Sequence, residues 1–353
     1  MTQFDQSVDR RTVLRRGALG GLSLAALAAA GVTLRPEGSA AQDITCPPIE
    51  PRVVEGTPEP MSGMRIGVSV AYLSVPFYAN FKTGLEDGAT RFGFEYDLRD
   101  GGGGDLAVEV GNVQDFIAQG YDLILLTPSG EGIIPGIIEA NNAGIPVIEV
   151  NNQAGFPSDE ADVVTYVGAD DVEYGRQQAR LLNQLFGDEP ARIGYVQGIT
   201  GTSPQINRSQ GFDEVLAEFP QYEILATVTN DFDSAKALAV TQDLLTRFPK
   251  GELDVIVMQG PEGVAAAQFA QQNGREEVQF ILGDYDAAVR QAIIDGYVAG
   301  TVNQDPYPQA FEGMHMAWLY LNGQESEIPM PFFQDLPIIT AENAEAVPPS
   351  WGC

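Results

Sequence analysis

Between residues 64 and 321 the chain alternates short apolar runs with amphipathic stretches. The runs fall at 64–71, 94–98, 123–126, 147–150, 163–168, 193–196, 222–228, 253–258, 278–282 and 298–302. Between them apolar residues recur at helical spacing, as Phe77, Phe81, Leu85 and Ala89 do. Residues 193–233 show the pattern in full. A strand-like run breaks into a Gly/Thr/Ser loop at 198–203, an amphipathic stretch covers 205–219, and a second strand covers 222–228. That is one βαβ unit. Alternation from end to end requires parallel sheets covered by helices on both faces, so the fold class is α/β. About ten strands are too many for one compact sheet at this length, which points to two doubly wound parallel-sheet lobes. An eight-fold barrel is the rival at this length. The strand ends weigh against it, because they carry Asn, Gln, Arg and aromatics with few catalytic carboxylates or lysines.

Open α/β sheets bind ligands beyond the carboxyl ends of their strands. The candidates there are Phe77 and Tyr78, Asn151 and Asn152, Arg208, Phe232, Asp284 and Asp286, and Gln304. Each has a plainer reading. Phe77 and Tyr78 could be the first turn of a core helix, Asn151 and Asn152 turn residues, Arg208 a surface ion pair, and the aspartates caps of the helix from Ala287. Polar groups at five or more strand ends together describe a cleft for a small polar ligand.

Catalytic signatures are missing. The single histidine, His315, sits in an apolar helical pattern, and the sequence contains no G-x-S-x-G, H-E-x-x-H or P-loop motif. No Cys/His grouping could hold zinc. Gly101 to Gly104 lack the dinucleotide-binding frame. Asp170 and Asp171, like Asp231 and Asp233, read as capping or solvated acids. No enzyme activity, metal or cofactor is expected.

Charge narrows the partners. The chain has 19 Lys+Arg against 49 Asp+Glu, a formal −30. Phosphate backbones need basic surface, so nucleic acid is excluded. An acidic, lysine-poor surface fits a saline habitat or an arginine-biased genome. Residues 1–41 read as a twin-arginine export signal. Arg10 and Arg11 precede an uncharged stretch at 17–34, and Ser39-Ala40-Ala41 follows. The alternative is a retained membrane anchor. Residues 42–63 form a proline-rich linker. Cys46 and Cys353 are expected to form a disulfide in an oxidising compartment, with lipidation of Cys46 the alternative.

The stretch from Met64 to Gly323 resembles the periplasmic sugar-binding proteins of the ribose-binding type. The resemblance rests on Val75-Pro76-Phe77-Tyr78, Thr202-Ser203 followed by Arg208, Asp231-Phe232-Asp233, and Gln304 before Asp305-Pro306. Two departures bear on which sugar is bound. Asn151-Asn152 stands where the family has an Asp-Arg pair, and Gly260 where it has an asparagine. The family aspartate falls on Asp284 or Asp286, and the preceding aromatic favours Asp286. The resemblance implies a type I periplasmic binding fold, with crossovers near Ala169-Asp170, Gln304-Asp305 and Met330–Phe332. The lobes would then be 64–169 plus 305–331 and 170–304 plus 332–353. It implies a periplasmic monomer that captures a sugar or polyol and delivers it to the permease of an ABC importer. A ligand-presenting sensor for a membrane receptor and an envelope enzyme are the alternatives. Phe77, Tyr78 and Phe232 would cover sugar faces while polar side chains satisfy hydroxyls. Arg208 would serve binding rather than folding, with Asp286 or Asp284 as its carboxylate partner.

Overall fold

A computed structural model describes residues 60–155 and 161–352. The export segment at 1–41, the linker at 42–63 apart from its last four residues, and Cys46 and Cys353 with their expected disulfide lie outside the described residues.

Two six-stranded sheets form, each with its own helices. The first half of the chain runs β1 (Arg65–Val70), α1 (Phe77–Phe92), β2 (Glu95–Asp100), α2 (Leu106–Ala118), β3 (Leu123–Thr127), α3 (Ile134–Asn142), β4 (Val147–Val150) and β5 (Tyr166–Gly168). The second half runs α4 (Asp171–Phe186), β6 (Ala191–Gln197), α5 (Ser203–Leu216), β7 (Tyr222–Thr229), α6 (Ser234–Arg247), β8 (Val255–Met258), α7 (Val264–Gln272), β9 (Gln279–Gly283), α8 (Ala287–Ile294) and β10 (Gly300–Val302). Then come α9 (Pro306–Leu321), β11 (Phe332–Phe333) and β12 (Ile338–Thr340). The first sheet has the order β11-β5-β4-β3-β1-β2 and the second β12-β10-β9-β8-β6-β7. All pairs are parallel except β10 with β12. Two separate open sheets rule out the barrel.

The central strands are unbroken apolar runs because helices cover both faces. In β3, Leu123 and Leu125 join the core beneath α1 and α9, while Ile124 and Leu126 join the core beneath α2 and α3. That is the period-two alternation of a strand buried on both sides. The edge strand β2 is only half-buried and carries Glu95, Asp97, Arg99 and Asp100.

One helix pair in each lobe crosses at glycines. A side chain on Gly84 would collide with the Tyr307 carbonyl between α1 and α9. A side chain on Gly175 would overlap the Arg208 carbonyl, and one on Gly211 the Val172 carbonyl, between α4 and α5. These close approaches set how the start of α4 meets the middle of α5.

Strand membership corrects the expected end of the chain. Phe332 and Phe333 pair with Val167 and Gly168 in the first sheet, and β12 pairs with β10 in the second. The third crossover therefore spans 334–337 instead of Met330–Phe332. The tail does not stay with the second lobe either. Ala344 packs in the second-lobe core, whereas Trp351 packs in the first-lobe core. A tail without a core of its own gains burial by lying across both.

Candidate ligand-binding cleft

The carboxyl ends of both sheets face one another across a cavity of about 60 Å³. The first lobe contributes Phe77 and Tyr78, which open α1 after β1, and Asn151 and Asn152 after β4. The second contributes Arg208 after β6, Phe232 after β7, Asp284 after β9 and Gln304 after β10. Eight of the nine candidate residues thus line one cavity.

Asp286 is the exception. It caps α8, its carboxylate accepting from the Val289 amide at 2.7 Å. It reaches the cleft indirectly, since the Trp351 indole N–H donates to it. Of the two aspartates, the one facing the cavity is Asp284. The preference for Asp286 fails because Asp284 takes a left-handed backbone turn, φ 56°. That turn aims side chain 284 inward three residues before the helix starts at Ala287.

A chain of side-chain hydrogen bonds ties the lobes through the hinge. Tyr78 Oη donates to Asn151 Oδ1 at 2.8 Å, and Asn151 Nδ2 donates to Gln309 Oε1 at 3.0 Å. Gln309 Nε2 donates to Gln304 Oε1 at 3.1 Å, and Gln304 donates in turn to Asp284. Tyr174 Oη lies 3.0 Å from Asp284 Oδ1 and accepts from the Asp284 amide. Every member is buried. Burial pushes the Asp284 carboxyl up to about 6, against the pull of Arg208 and the donated hydrogen bonds.

Arg208 differs from expectation. It lines the cavity, yet its side chain is only 3% exposed and is held on several sides. Nε donates to Asp171 Oδ1 at 2.8 Å, Nη1 donates to the Gln259 carbonyl at 2.7 Å, and the guanidinium lies 3.8 Å from the Tyr174 ring centre. Burial alone would lower its proton affinity. Asp171, Tyr174 and Asp284 outweigh that and hold it above the ordinary arginine value. Its carboxylate partner is Asp171, at the start of α4, and neither Asp284 nor Asp286. Arg208 therefore belongs to the fold as well as to the site.

Phe232 sits on strained backbone. Asp231 and Phe232 both have left-handed φ, 53° and 54°, in a turn where Asn230 Oδ1 accepts from the Phe232 amide. Such geometry in a non-glycine aromatic is costly and persists where the surroundings impose it. The ring lies over Gly198 and Gly260, where any side chain would collide with it.

Among the other residues lining the cavity, Trp351, Tyr72 and Glu262 were not read from the sequence. Trp351 meets Phe77 edge to face at 4.6 Å between ring centres and forms a further aromatic wall. Nothing local marks it, because it comes from the proline-rich tail. Tyr72 follows β1 directly, and its aromatic character beside Phe77 and Tyr78 was a usable signal. Glu262 follows β8, two residues after Gly260.

Comparison with known proteins agrees with this geometry. Residues 66–325 match the family model described as a periplasmic binding protein domain. The ribose import binding protein of Salmonella typhimurium is 29% identical over 268 residues, spanning 75% of this chain and 88% of that protein. A xylitol-binding protein of Mycolicibacterium smegmatis is 27% identical, spanning 80% of this chain and 78% of that protein. Among solved structures, the periplasmic binding component of the arabinose ABC transporter from Shewanella, bound to L-arabinofuranose, superposes with a TM-score of 0.73. It is 25% identical and covers 80% of this chain and 94% of that one. A Bacillus halodurans ABC transporter solute-binding protein with bound myo-inositol shares the fold, with a TM-score of 0.74 and 23% identity over 81% of this chain and 97% of that one. With two open parallel sheets, three crossovers, a cleft at the strand ends and a match spanning most of its length, the chain belongs to the periplasmic binding protein family.

Proposed function

We propose that the protein is an exported solute-binding protein that captures one sugar or polyol molecule between its lobes and delivers it to the permease of an ABC importer. One observation carries the reading: aromatic rings and hydrogen-bonding side chains from both lobes converge on a single small cavity. Phe77, Trp351 and Phe232 offer apolar faces, while Asn151, Asn152, Asp284 and Gln304 offer donors and acceptors around them. A sugar has that same division, with apolar ring faces and a polar rim. The family implies an extracytoplasmic location. Among the described residues no helix is long and apolar enough to cross a membrane. Export of the folded chain by the twin-arginine route, followed by action as a monomer, completes the proposal.

The test is to denature freshly purified protein and identify the released small molecule by mass spectrometry. Calorimetry with that compound and with a panel of free sugars and polyols follows. Saturable one-to-one binding of a monosaccharide or polyol is the expected result. Absence of any sugar or polyol, in the released fraction and in the titrations, would sink the reading.

A further inference from the structure

We infer that the cleft takes a ligand bearing a protonated amine, an amino sugar or amino polyol, with the ammonium seated against the Glu262 carboxylate and the Phe232 ring. The inference rests on the sugar-capture reading and adds a cationic group to the ligand.

Glu262 lies in the loop between β8 and α7 and lines the cavity. Its Oε2 is shielded from solvent and has no hydrogen-bond partner among the described residues. A Cβ on Gly260 would strike both this oxygen and the Phe232 ring, so the two side chains sit next to each other above that glycine. An unpartnered acceptor beside an aromatic ring suits an ammonium, which donates up to three hydrogen bonds and is drawn to ring faces. Phe77 and Trp351 add two further rings to the cavity wall.

The cleft is short of positive charge. Arg208 is the one cation among the described residues lining the cavity, and Asp171 pairs with it at 2.8 Å. Asp284 draws on the same guanidinium, and Tyr174 and Gln304 hydrogen-bond it without adding positive charge. Glu262 is the third acid. Burial pushes its carboxyl up to about 8, Asp284 and Asp286 from the loop between β9 and α8 add to the push, and Arg208 of α5 opposes it. The first lobe offers the cavity only uncharged groups: the Tyr72 and Tyr78 phenols, both pushed up by burial, and the Asn151 and Asn152 amides. Without ligand, a proton therefore stays on Glu262 at pH 7 and supplies the missing positive charge. An ammonium against Oε2 takes over that role. Its charge favours the ionised carboxylate, so Glu262 gives up its proton to solvent and accepts from the ammonium instead, in a charge-assisted hydrogen bond. A hydroxyl brings no charge and leaves the proton in place.

The test is calorimetry at pH 6.5 on wild type and Glu262→Gln with matched probes. The pairs are D-glucosamine with D-glucose, D-galactosamine with D-galactose, and 1-amino-1-deoxy-D-glucitol with D-glucitol. The N-acetyl derivatives of the three amines serve as uncharged controls, and the compound released from denatured wild type is identified by mass spectrometry. Wild type should bind at least one amine about tenfold or more tightly than its hydroxyl parent and its N-acetyl derivative. The released compound should contain an amine nitrogen. Binding of the amine should release up to one proton, read from heats measured in buffers of different ionisation enthalpy. Glu262→Gln should bind that amine about tenfold to a hundredfold more weakly and release no proton, with the hydroxyl parent within about threefold of wild type and the ligand-free melting temperature within a few degrees. Hydroxyl parents that bind as tightly as the amines, or a released sugar or polyol without an amine, overturn this inference and leave sugar capture standing. So do an amine affinity or proton release unchanged in Glu262→Gln, and a large loss of ligand-free stability in that variant, which would make Glu262 a structural residue. Release of no sugar or polyol of any kind, with every probe silent on wild type, overturns the inference and the sugar-capture reading together.

Discussion

Four non-glycine residues among those described have left-handed backbone: Asn151, Asp231, Phe232 and Asp284. Three line the cavity and the fourth adjoins it. Local strain is thus concentrated where side chains must be aimed at a ligand. The preceding aromatic favours Asp286, but the left-handed turn at residue 284 accompanies a side chain that faces the cavity, while Asp286 caps α8. Arg208 carries a related lesson. Removing one partner of a buried ion pair leaves the other charge uncompensated, at about 3–5 kcal/mol. Arg208→Ala should therefore weaken ligand binding and also lower the denaturation free energy by that order. Asp171→Ala should destabilise similarly, and the double variant should lose less than the sum, because neither charge is then stranded. Urea denaturation of the three variants checks this. An Arg208→Ala protein as stable as wild type would return the residue to a purely ligand-facing role.

Glycines set the spacing of the helices that carry the site. Asp171 meets Arg208 because α4 and α5 touch backbone to backbone at Gly175 and Gly211. Gly175→Ala gains helix propensity of up to about 1 kcal/mol, but its methyl strikes the Arg208 carbonyl. Overpacking of about 1–3 kcal/mol should prevail, and forcing the helices apart should weaken ligand binding as well. Thermal melting with and without ligand measures both effects. Strand β4 makes a different prediction. Glu149 is buried in it and accepts from the Ala154 amide at 2.8 Å, and burial pushes its carboxyl up to about 7 from 4.5. A folded-state value raised above the unfolded one means that the folded protein takes up the proton first. Stability should therefore rise as pH falls from about 7 to about 4.5, by up to roughly 3 kcal/mol from this group. Asp284 contributes in the same direction at lower pH. Denaturation midpoints at pH 8, 6 and 5 should show the rise, and Glu149→Gln should shrink it to the part that Glu262 and Asp284 contribute. A wild-type stability that falls steadily over that interval contradicts the assignment.

Across the whole molecule the lobes are drawn together. The Gln153 amide donates to Ser203 Oγ at 2.8 Å across the cleft, and the Asn151–Gln309–Gln304–Asp284 chain spans the hinge. Trp351 packs on Phe77 of the first lobe while its indole donates to Asp286 of the second. A ligand that bridges both faces should favour this closed arrangement, and its loss should allow hinge opening with the lobes intact. Small-angle scattering should give a smaller radius of gyration with the released ligand than without it. An equal radius at saturation would mean that the cleft is closed in both states.

Strand-helix alternation alone determined the α/β class and the two parallel sheets, because periodicity is a local property that any fold of this chain must satisfy. Strand ends were legible for a similar reason. Polar and aromatic residues just after apolar runs have to lie at the sheet margin, as Asn151, Phe232 and Gln304 do, and Phe77 and Arg208 join them from the first two turns of the helices that follow. Tertiary structure decided what those residues meet. The pairing of Arg208 with Asp171, residues 37 apart, depends on how closely two helices cross. The arrival of Trp351 beside Phe77 depends on a tail that has no periodic pattern and finds its place through the burial offered by both lobes. The inward turn of Asp284 depends on backbone dihedrals that the sequence around it does not specify. Patterns along the chain record which face of an element must be buried, while contacts between distant elements arise only when those faces close on one another.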